Sequence, residues 1–348
     1  MTTIRRLSVQ NVRSHRASSI TLSHGITVIT GPNGSGKTSL LEAIFIALQG
    51  SSFKGTDNEV QQKNSPWWRI DIVTHDDNIR SITFDPTRST RRKQFTVDDK
   101  ISGRLAPKHK YPIVLFEPED LRLLNGSPAR RRQFIDRFIT QLNPLYASAL
   151  RKYDRALKQR NTLLKRQFLN KDELFAWDIA LAEHGAYIIE QRIAFIEQIN
   201  QGLTEAYNDI AQTNDDVSVH YSHTVVGDMK QRLLGELHAH LEKDRYLGST
   251  SVGPHRHDVI FRLNQSPALS VASRGEVRTI VLALKFLEVD IIEQLTGHKP
   301  IILLDDVFSE LDPRRQRALS EHTKGSQIIM TSTHVVKSDA EFHHIELS

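Results

Sequence analysis

The stretch Gly31-Pro32-Asn33-Gly34-Ser35-Gly36-Lys37-Thr38 decides the fold, because it fits the pattern G-x-x-x-x-G-K-[ST] of a phosphate-binding loop. An apolar run at residues 26–29 precedes it and predicts a buried strand, and residues 39–48 follow with the pattern of a helix. Glycines let the backbone wrap a triphosphate, and the N-terminus of the helix adds positive potential. The order strand, glycine loop, helix therefore predicts a nucleotide site rather than a turn without a ligand.

Two side chains of this loop carry the predicted chemistry. Lys37 would reach the β- and γ-phosphates, and the hydroxyl of Thr38 would ligate Mg²⁺. The predicted cofactors are therefore ATP and Mg²⁺. The predicted cofactor-binding residues of this segment are Gly31, Pro32, Asn33, Gly34, Ser35, Gly36, Lys37, Thr38 and Ser39.

A second apolar run, at residues 301–304, ends in the carboxylates Asp305 and Asp306. Acids at the carboxyl end of a buried strand stand where α/β sheets place their ligands. Asp305 would hold Mg²⁺ through water, and Asp306 would polarise the attacking water. The alternative interpretation is a strand followed by an ordinary acidic turn.

A third motif opens a long apolar helix over residues 280–292. Ser273, Gly275 and Glu276 precede this helix, and taken alone Ser273 indicates only a helix N-cap. Its position before the Asp305 strand is that of the signature motif of ABC-type ATPases, which binds the γ-phosphate held by a second subunit. Residues 309–312 lie where the D-loop would be, and His334 lies where a catalytic switch histidine would be. Five elements in the expected order are far more specific than any one of them.

The chain resembles the RecF family of bacterial gap-repair ATPases, which are relatives of the SMC and ABC heads. The resemblance runs nearly end to end and rests on residues 11–15, 31–43, 116–121, 131–136, 159–165, 177–178, 253–258, 272–276 and 304–312. It implies an α/β fold, an ABC-type P-loop ATPase head (mixed sheet with flanking helices) with an inserted α-helical lobe. It also implies an ATP-dependent homodimer, with Asp305, Asp306 and His334 catalytic and Ser273 acting on the nucleotide of the other subunit.

The resemblance further implies a place in DNA replication and recombinational repair. Its implied partners are duplex DNA, single-strand gaps, RecR, RecO and RecA, and its implied enzyme activity is weak, DNA-stimulated ATP hydrolysis. Most ABC-type heads have a glutamate where this chain has Asp306, which is one methylene shorter, so we expect slow hydrolysis.

The chain also departs from the family pattern in several places. Lys54 stands where the basic residue is usually arginine, Asp98-Asp99 replaces an Asn-Gly-like turn, and His257 stands where an acid is common. Gln61 and Gln62 are both candidates for the Q-loop glutamine.

The distance between the two nucleotide motifs predicts the domain organisation. Lys37 and Asp305 are 268 positions apart, yet both must contact one nucleotide. We therefore expect two halves of one ATPase head, residues 1–125 and 248–348, with an insertion at residues 126–247. Long runs with few breaking residues predict that the insertion is helical, and it is too short for the coiled-coil arm of an SMC protein.

Basic residues are concentrated in one part of the chain. The segment from Arg80 to Arg166 holds 21 Lys/Arg against 8 Asp/Glu, whereas the net charge of the whole chain is only +5. This asymmetry is typical of a protein that binds the phosphate backbone, and no base-reading motif accompanies it. The alternative is that each cluster is an ordinary solvated face. The predicted DNA-binding residues are Arg88, Arg91, Arg92, Lys93, Lys108, Lys110, Arg130, Arg131, Arg132, Arg151, Lys152 and Arg155.

Composition agrees with a protein of the reducing cell interior. The 348 residues include no cysteine, which rules out disulfides and thiolate metal sites. No apolar run approaches the ~18 residues of a membrane span, and residues 1–24 are too basic and too interrupted for a signal peptide. We predict a cytoplasmic, nucleoid-associated protein without a membrane partner.

Two other classes of function stay open at this point. The first is the ATPase subunit of a transporter, which needs a membrane-coupling surface where this chain has basic helices. The second is an SMC-like DNA clamp or the ATPase subunit of a nuclease, because the sequence itself shows no convincing nuclease metal site.

Overall fold

The computed structural model describes residues 3–224, 227–334 and 342–347. The strands are β1 (Ile4–Val12), β2 (His15–Thr21), β3 (Ile26–Thr30), β4 (Trp68–Thr74), β5 (Ile79–Phe84), β6 (Lys93–Val97), β7 (Lys100–Ser102), β8 (Ile113–Phe116), β9 (Val217–Tyr221), β10 (Val259–Leu263), β11 (Ser266–Pro267), β12 (Ile301–Asp305), β13 (Ile328–Ser332) and β14 (His343–Glu346). The α-helices are α1 (Lys37–Gln49), α2 (Asp57–Val60), α3 (Pro128–Leu142), α4 (Pro144–Leu164), α5 (Lys171–Asn200), α6 (Leu203–Ala211), α7 (Met229–Ala239), α8 (Leu241–Leu247), α9 (Ala268–Val271), α10 (Arg274–Thr296) and α11 (Pro313–His322). None of these helices combines the length and apolar character that crossing a membrane requires.

The chain divides into two compact units. Residues 1–121 and 285–348 form the first unit, and residues 122–284 form the second. The predicted insertion of residues 126–247 lies wholly inside the second unit, whereas the predicted segment 248–348 is shared by both. The three-segment organisation of the sequence analysis stays a prediction.

The first unit contains a five-stranded parallel sheet with the strand order β14-β3-β13-β12-β8. Strands β3, β8, β12 and β13 are apolar over most of their length, as parallel strands buried on both faces are, whereas the edge strand β14 is mostly polar and exposed. The predicted strand before the glycine loop is β3, and the predicted strand that ends in an acid is β12. Strand β13 lies between them, so the segments that follow β3, β13 and β12 leave the same edge of the sheet.

The first unit also contains a six-stranded antiparallel sheet with the order β2-β1-β4-β5-β6-β7. Helix α1 shares one hydrophobic core with both sheets: Leu41 and Ile44 of the helix cluster with Leu7 of β1 and Ile29 of β3. Each such fully buried side chain contributes about 1.5–3 kcal/mol. The helix that follows the glycine loop is therefore held firmly by its packing.

The second unit is mostly helical, and three of its long helices begin at side-chain N-caps. The Ser127 hydroxyl accepts a hydrogen bond from the backbone of Arg130, and the Asn143 and Asn170 side chains cap α4 and α5. The prediction that residues 126–247 are helical is incomplete, because β9 lies within them and pairs with β10 in a three-stranded antiparallel sheet. Alternating burial along β9 shows why the strand forms, since Val217 and Val219 face the core.

Candidate nucleotide-binding site

Three neighbouring strands of the parallel sheet bring the predicted nucleotide residues together. Thr331 of β13 lies in register with Ile29 of β3 on one side and with Asp305 of β12 on the other. The glycine loop leaves β3 at Thr30, one residue after Ile29. The loop and the acid therefore meet at the carboxyl edge of the sheet, where α/β proteins bind their ligands.

The glycine loop has a backbone that only glycine adopts easily. Gly34 and Gly36 have φ values of +88° and +92°, in the left-handed region. A Cβ atom on Gly36 would also lie 2.3 Å from Nε2 of His15. A Cβ atom on Gly31 would lie 2.6 Å from the carbonyl oxygen of Leu347. The pattern of glycines is thus required by both conformation and space.

The Lys37 side chain is folded over its own loop. Its Nζ atom donates hydrogen bonds to the carbonyl oxygens of Gly31 at 2.7 Å and Pro32 at 2.9 Å. Nearby, the Ser35 hydroxyl oxygen is buried and has no hydrogen-bond partner. Buried polar atoms without a partner are uncommon and call for a ligand or water. A cradle of backbone N–H groups, an ammonium and an orphaned hydroxyl fit a triphosphate.

The Thr38 hydroxyl and the Asp305 carboxylate are in direct contact. Thr38 Oγ1 donates to Asp305 Oδ1 at 2.7 Å, and Thr331 Oγ1 donates to the same oxygen at 3.0 Å. Asp305 is only 4% exposed. A threonine hydroxyl beside a buried carboxylate is the set of oxygen ligands that Mg²⁺ uses in phosphate sites, so these residues fit the ion.

Lys54 belongs to this site, although no role for it is predicted from the sequence. Its Nζ atom lies 3.4 Å from Asp305 Oδ2, and the Lys54 side chain is 39% exposed. The only sequence signal was its place in the family pattern, where a basic residue is usual. The loop between α1 and α2 therefore places a second cation, after Lys37, beside the Asp305 carboxylate.

Asp306 follows the strand with an unusual backbone. Its φ is +54°, a left-handed conformation that Asp and Asn tolerate better than longer side chains. Its N–H donates to Thr331 Oγ1 at 2.9 Å, which holds the turn in place. The short aspartate thus suits the backbone at the position where ABC-type heads place a glutamate.

His334 lies just beyond β13 and has an exposed side chain. Its backbone N–H donates to the Ser332 hydroxyl at 3.2 Å, and the same hydroxyl donates to the His334 carbonyl oxygen at 2.7 Å. This turn places the residue at the same sheet edge as Thr331. Its predicted catalytic role stays a prediction.

A buried ion pair behind the loop was not predicted. The Arg13 guanidinium binds the Glu42 carboxylate through two hydrogen bonds, of 2.8 and 2.7 Å, and Glu42 is 1% exposed. The hydrogen bonds that Arg13 donates to the Glu42 carboxylate raise the pKa of Arg13 above its usual range. Since Glu42 belongs to α1, this pair ties the β1–β2 turn to the helix that follows the loop. Arg13 and Glu42 both lie in segments that resemble the family, residues 11–15 and 31–43, and this resemblance was the sequence signal that could have pointed to the pair.

The two candidate Q-loop glutamines lie close to the β1–β2 turn. Gln61 donates from its side chain to the carbonyl oxygen of Ser65, and Gln62 donates to that of Ser14 at 3.4 Å. The assignment between them stays open.

In the second unit, the signature residues form a complete helix cap. The backbone N–H of Glu276 donates to Ser273 Oγ at 3.3 Å, and the Ser273 N–H donates to Glu276 Oε2 at 2.6 Å. This reciprocal pair is a capping box at the start of α10. Ser273 is exposed and Gly275 is half-buried. The cap thus orders an exposed serine at a helix N-terminus.

The predicted DNA-binding residues of the first unit differ in exposure. Arg91, Arg92 and Lys108 are exposed, and Arg88 is exposed with Asp85 3.3 Å away. Lys110 is half-buried.

Lys93 points into the protein instead of toward solvent. Its Nζ atom binds Asp57 at 2.5 Å and lies 5.4 Å from the centre of the Trp68 ring. Burial lowers the pKa of Lys93. We therefore leave Lys93 out of the proposed DNA surface.

The arginine triplet of the second unit is also largely turned inward. Arg131 is buried and pairs with Asp258 at 2.7 Å, and Arg132 donates to the His257 carbonyl oxygen at 2.6 Å. Burial lowers the pKa of Arg132. Arg130 is half-buried. These contacts make Arg131 and Arg132 structural residues, and we leave both out of the proposed DNA surface.

Helix α4 carries the best exposed cations among the predicted DNA-binding residues of the second unit. Arg151, Lys152 and Arg155 are all exposed. Their spacing places Arg151 and Arg155, four residues apart, on one helix face. We call these three residues the α4 stripe.

A glycine loop, a buried Mg²⁺-type acid and a parallel sheet define a P-loop ATPase head. Known proteins agree: the protein-family model described as an AAA domain matches residues 6–218. The head of Smc from Pyrococcus furiosus has a similar fold, with a TM-score of 0.51 at 18% identity, over 96% of this chain and 90% of that one. The predicted ABC-type α/β fold is therefore confirmed.

Closer relatives narrow the class to one family. The DNA replication and repair protein RecF of Clostridium perfringens (strain SM101) is 34% identical over 334 residues, which cover 95% of this chain and 92% of the relative. The structure of the recombination mediator protein RecF with ATPrS, in the RecFOR pathway, matches with a TM-score of 0.88 at 28% identity, over 99% of this chain and 96% of that one. The chain belongs to the RecF family, as its sequence motifs predict.

Proposed function

We propose that this protein is an ATP-dependent DNA-binding protein of recombinational repair and replication that dimerises on ATP and binds duplex DNA and single-strand gaps. The observation that carries the proposal is the 2.7 Å contact between Thr38 and Asp305, beside the folded-over Lys37. The similar RecF structure is that of a recombination mediator in the RecFOR pathway. This similarity supports RecO and RecR as partners, and the family resemblance adds RecA. Such a role implies a cytoplasmic, nucleoid-associated location.

ATP binding would use groups that already face one another. Lys37 would exchange two carbonyl partners for phosphate oxygens, and the loop N–H groups would bind the remaining oxygens. Mg²⁺, held by Thr38 and through water by Asp305, would neutralise charge on the phosphates. Lys54 adds a positive charge next to Asp305. The binding step therefore needs little rearrangement of the chain.

Dimerisation would complete the site. In this proposal Ser273 of one copy meets the nucleotide bound by Lys37 of another, and Asp306 and His334 act on the water that attacks it. The exposed, capped Ser273 and the family resemblance support this arrangement. The segment 126–247 is proposed as the insertion between the two halves of the head.

Replacing Asp306 by asparagine tests the hydrolytic part of the proposal. Asparagine tolerates the φ of +54° as aspartate does, so the fold and ATP binding should survive. Without the carboxylate, the attacking water loses its partner, and we expect an ATP-bound dimer that persists on gel filtration with gapped duplex. The wild type should turn over well below the ~10 s⁻¹ of a median enzyme, faster with DNA. Wild-type phosphate release by Asp306→Asn would contradict the assignment.

The α4 stripe is our proposed site of contact with duplex DNA. Replacing Arg151, Lys152 and Arg155 by alanine should weaken binding in a salt-dependent way, because phosphate contacts release counterions. The slope of log affinity against log salt should fall by ~0.9 for each lost contact. Fluorescence anisotropy with a labelled duplex at several salt concentrations measures this slope.

The matched control for this variant removes exposed cations elsewhere. Arg314 and Arg317 lie exposed on α11, and their replacement by alanine should leave the slope nearly unchanged. ATP binding should be normal in both variants. If the α4 variant keeps wild-type affinity and slope, the duplex site lies on another surface.

A further inference from the structure

An open depression of about 620 Å³ lies where the end of α4 meets the end of α8. Three cationic side chains line it, Lys165, Arg166 and Arg245, together with the aromatic ring of Tyr246. We call it the tip depression. None of these four residues belongs to the nucleotide motifs or to the α4 stripe.

A buried network makes the walls of the tip depression rigid. Arg160 of α4 binds Asp178 of α5 at 2.6 Å and Asp244 of α8 at 2.7 Å, and Arg160 is fully buried. A small hydrophobic cluster holds the same three helices, since Leu164 and Leu174 pack with Leu241. A framework of this kind fixes the backbone positions from which the lining side chains project, which lowers the ordering cost of binding.

Charge favours an anionic ligand. The lining holds three cations against one carboxylate, that of Glu242. Arg166 forms an ion pair with Glu173 at 3.3 Å, but the Arg166 side chain is 54% exposed. An exposed pair of this kind is weak, so Arg166 stays available to a phosphate.

Two aromatic side chains of this region are highly exposed, and one of them, Tyr246, lines the depression with the cations. Tyr246 is 92% exposed and Phe168, two residues after Arg166, is 84% exposed. Single exposed apolar residues are normal in proteins. Exposed rings beside several cations are instead the composition of surfaces on which unpaired bases stack while their phosphates are neutralised.

We propose that the tip depression binds an unpaired strand of nucleic acid. A base would stack on Tyr246, and Arg245, Lys165 and Arg166 would contact the backbone phosphates. A duplex does not offer the faces of its bases for stacking, so the aromatic part of the site selects single strands. A protein ligand is less favoured, because Leu247 is the only exposed aliphatic side chain in the lining. This site is additional to the duplex contact proposed for the α4 stripe.

The test uses the full-length protein and a fluorescent oligothymidylate, read by anisotropy with and without ATP. Tyr246→Ala should weaken binding at least about fivefold, the loss for one stacked base, whereas Tyr246→Trp should keep the affinity. Arg245→Ala should lower the salt slope by ~0.7, the value for one phosphate on a single strand. Phe175→Ala is the matched control, because Phe175 is 53% exposed on α5 but does not line the depression.

Results of two kinds would overturn the proposal. If Tyr246→Ala and Arg245→Ala both bind the oligonucleotide with wild-type affinity, the depression is not a site for nucleic acid. A protein would then be left as the ligand of this surface. An equal loss on duplex and single strand would show that the residues contact backbone phosphates without selecting unpaired bases. The α4-stripe variant in the same titrations separates the two proposals. It should lose affinity for duplex, and Tyr246→Ala in that background should still weaken binding of the oligonucleotide.

Discussion

Replacing Lys37 by alanine is expected to abolish ATP binding and ATP-induced dimerisation while the protein stays folded. The ammonium is the charged group that the loop would present to the β- and γ-phosphates. Removing one partner of such a desolvated charge pair costs about 2–5 kcal/mol, a loss of at least about thirtyfold in affinity. Isothermal calorimetry with ATP and gel filtration with and without ATP measure both effects. Unchanged ATP-dependent dimerisation would disprove the site.

The fold should tolerate this change. Among the described residues, the Lys37 ammonium donates to the carbonyl oxygens of Gly31 and Pro32, and water can replace it at the half-exposed loop. Thermal unfolding without ATP is therefore the control, and its midpoint should move by a few degrees at most.

Mixing the Lys37→Ala protein with a second variant tests whether the site is shared between two copies in the dimer. If Ser273 acts on the nucleotide of the other copy, Lys37→Ala and Ser273→Arg proteins together should form heterodimers with one intact composite site. Partial recovery of ATP hydrolysis is then expected. Heterodimers that form but stay inactive would indicate a site made by one copy alone.

The second large effect is expected at Arg160, which is a structural residue of the second unit. Replacing it by methionine leaves the carboxylates of Asp178 and Asp244 buried without their cation. Burial already raises the pKa of Asp178, while Arg160 acts in the opposite direction. Breaking a buried pair by removing one partner typically costs about 3–5 kcal/mol. We expect a loss of this size in the free energy of unfolding, measured by urea denaturation with circular dichroism.

Arg155 supplies the matched control on the same helix. It is exposed, and Arg155→Met should change stability by no more than about 0.5 kcal/mol. If Arg160→Met were as stable as Arg155→Met, the network would not hold α4, α5 and α8 together. The rigid framework assumed for the tip depression would then be absent as well.

Local signals in the sequence predicted the elements around the nucleotide loop well. The predicted strand and helix appear as β3 and α1. The sequence predicted residues 126–247 as helical without placing the break at which α5 ends at Asn200 and α6 begins at Leu203. Apolar periodicity continues across this break, so only the backbone at Gln201 and Gly202 reveals it.

Charge patterns predicted less, because a sequence does not show which way a cation points. Lys93 and Arg131 belong to basic clusters, yet each has a carboxylate partner far along the chain, Asp57 and Asp258. Arg151, Lys152 and Arg155 look the same in the sequence and are exposed. Burial is decided by packing between distant segments, which no local pattern records.

The sequence by itself determined the glycine loop, since its conformation depends on contacts within a few residues and on glycines that alone permit it. It also determined the family, through motifs distributed over the chain. Only the tertiary structure decided that Thr38 and Thr331 share the Asp305 carboxylate, and that Lys54 lies beside it. Thr38 and Asp305 are separated by 267 positions and meet because β13 places β3 and β12 on either side of it. Strand order is set by the packing of the whole sheet, and therefore appears only in the folded protein.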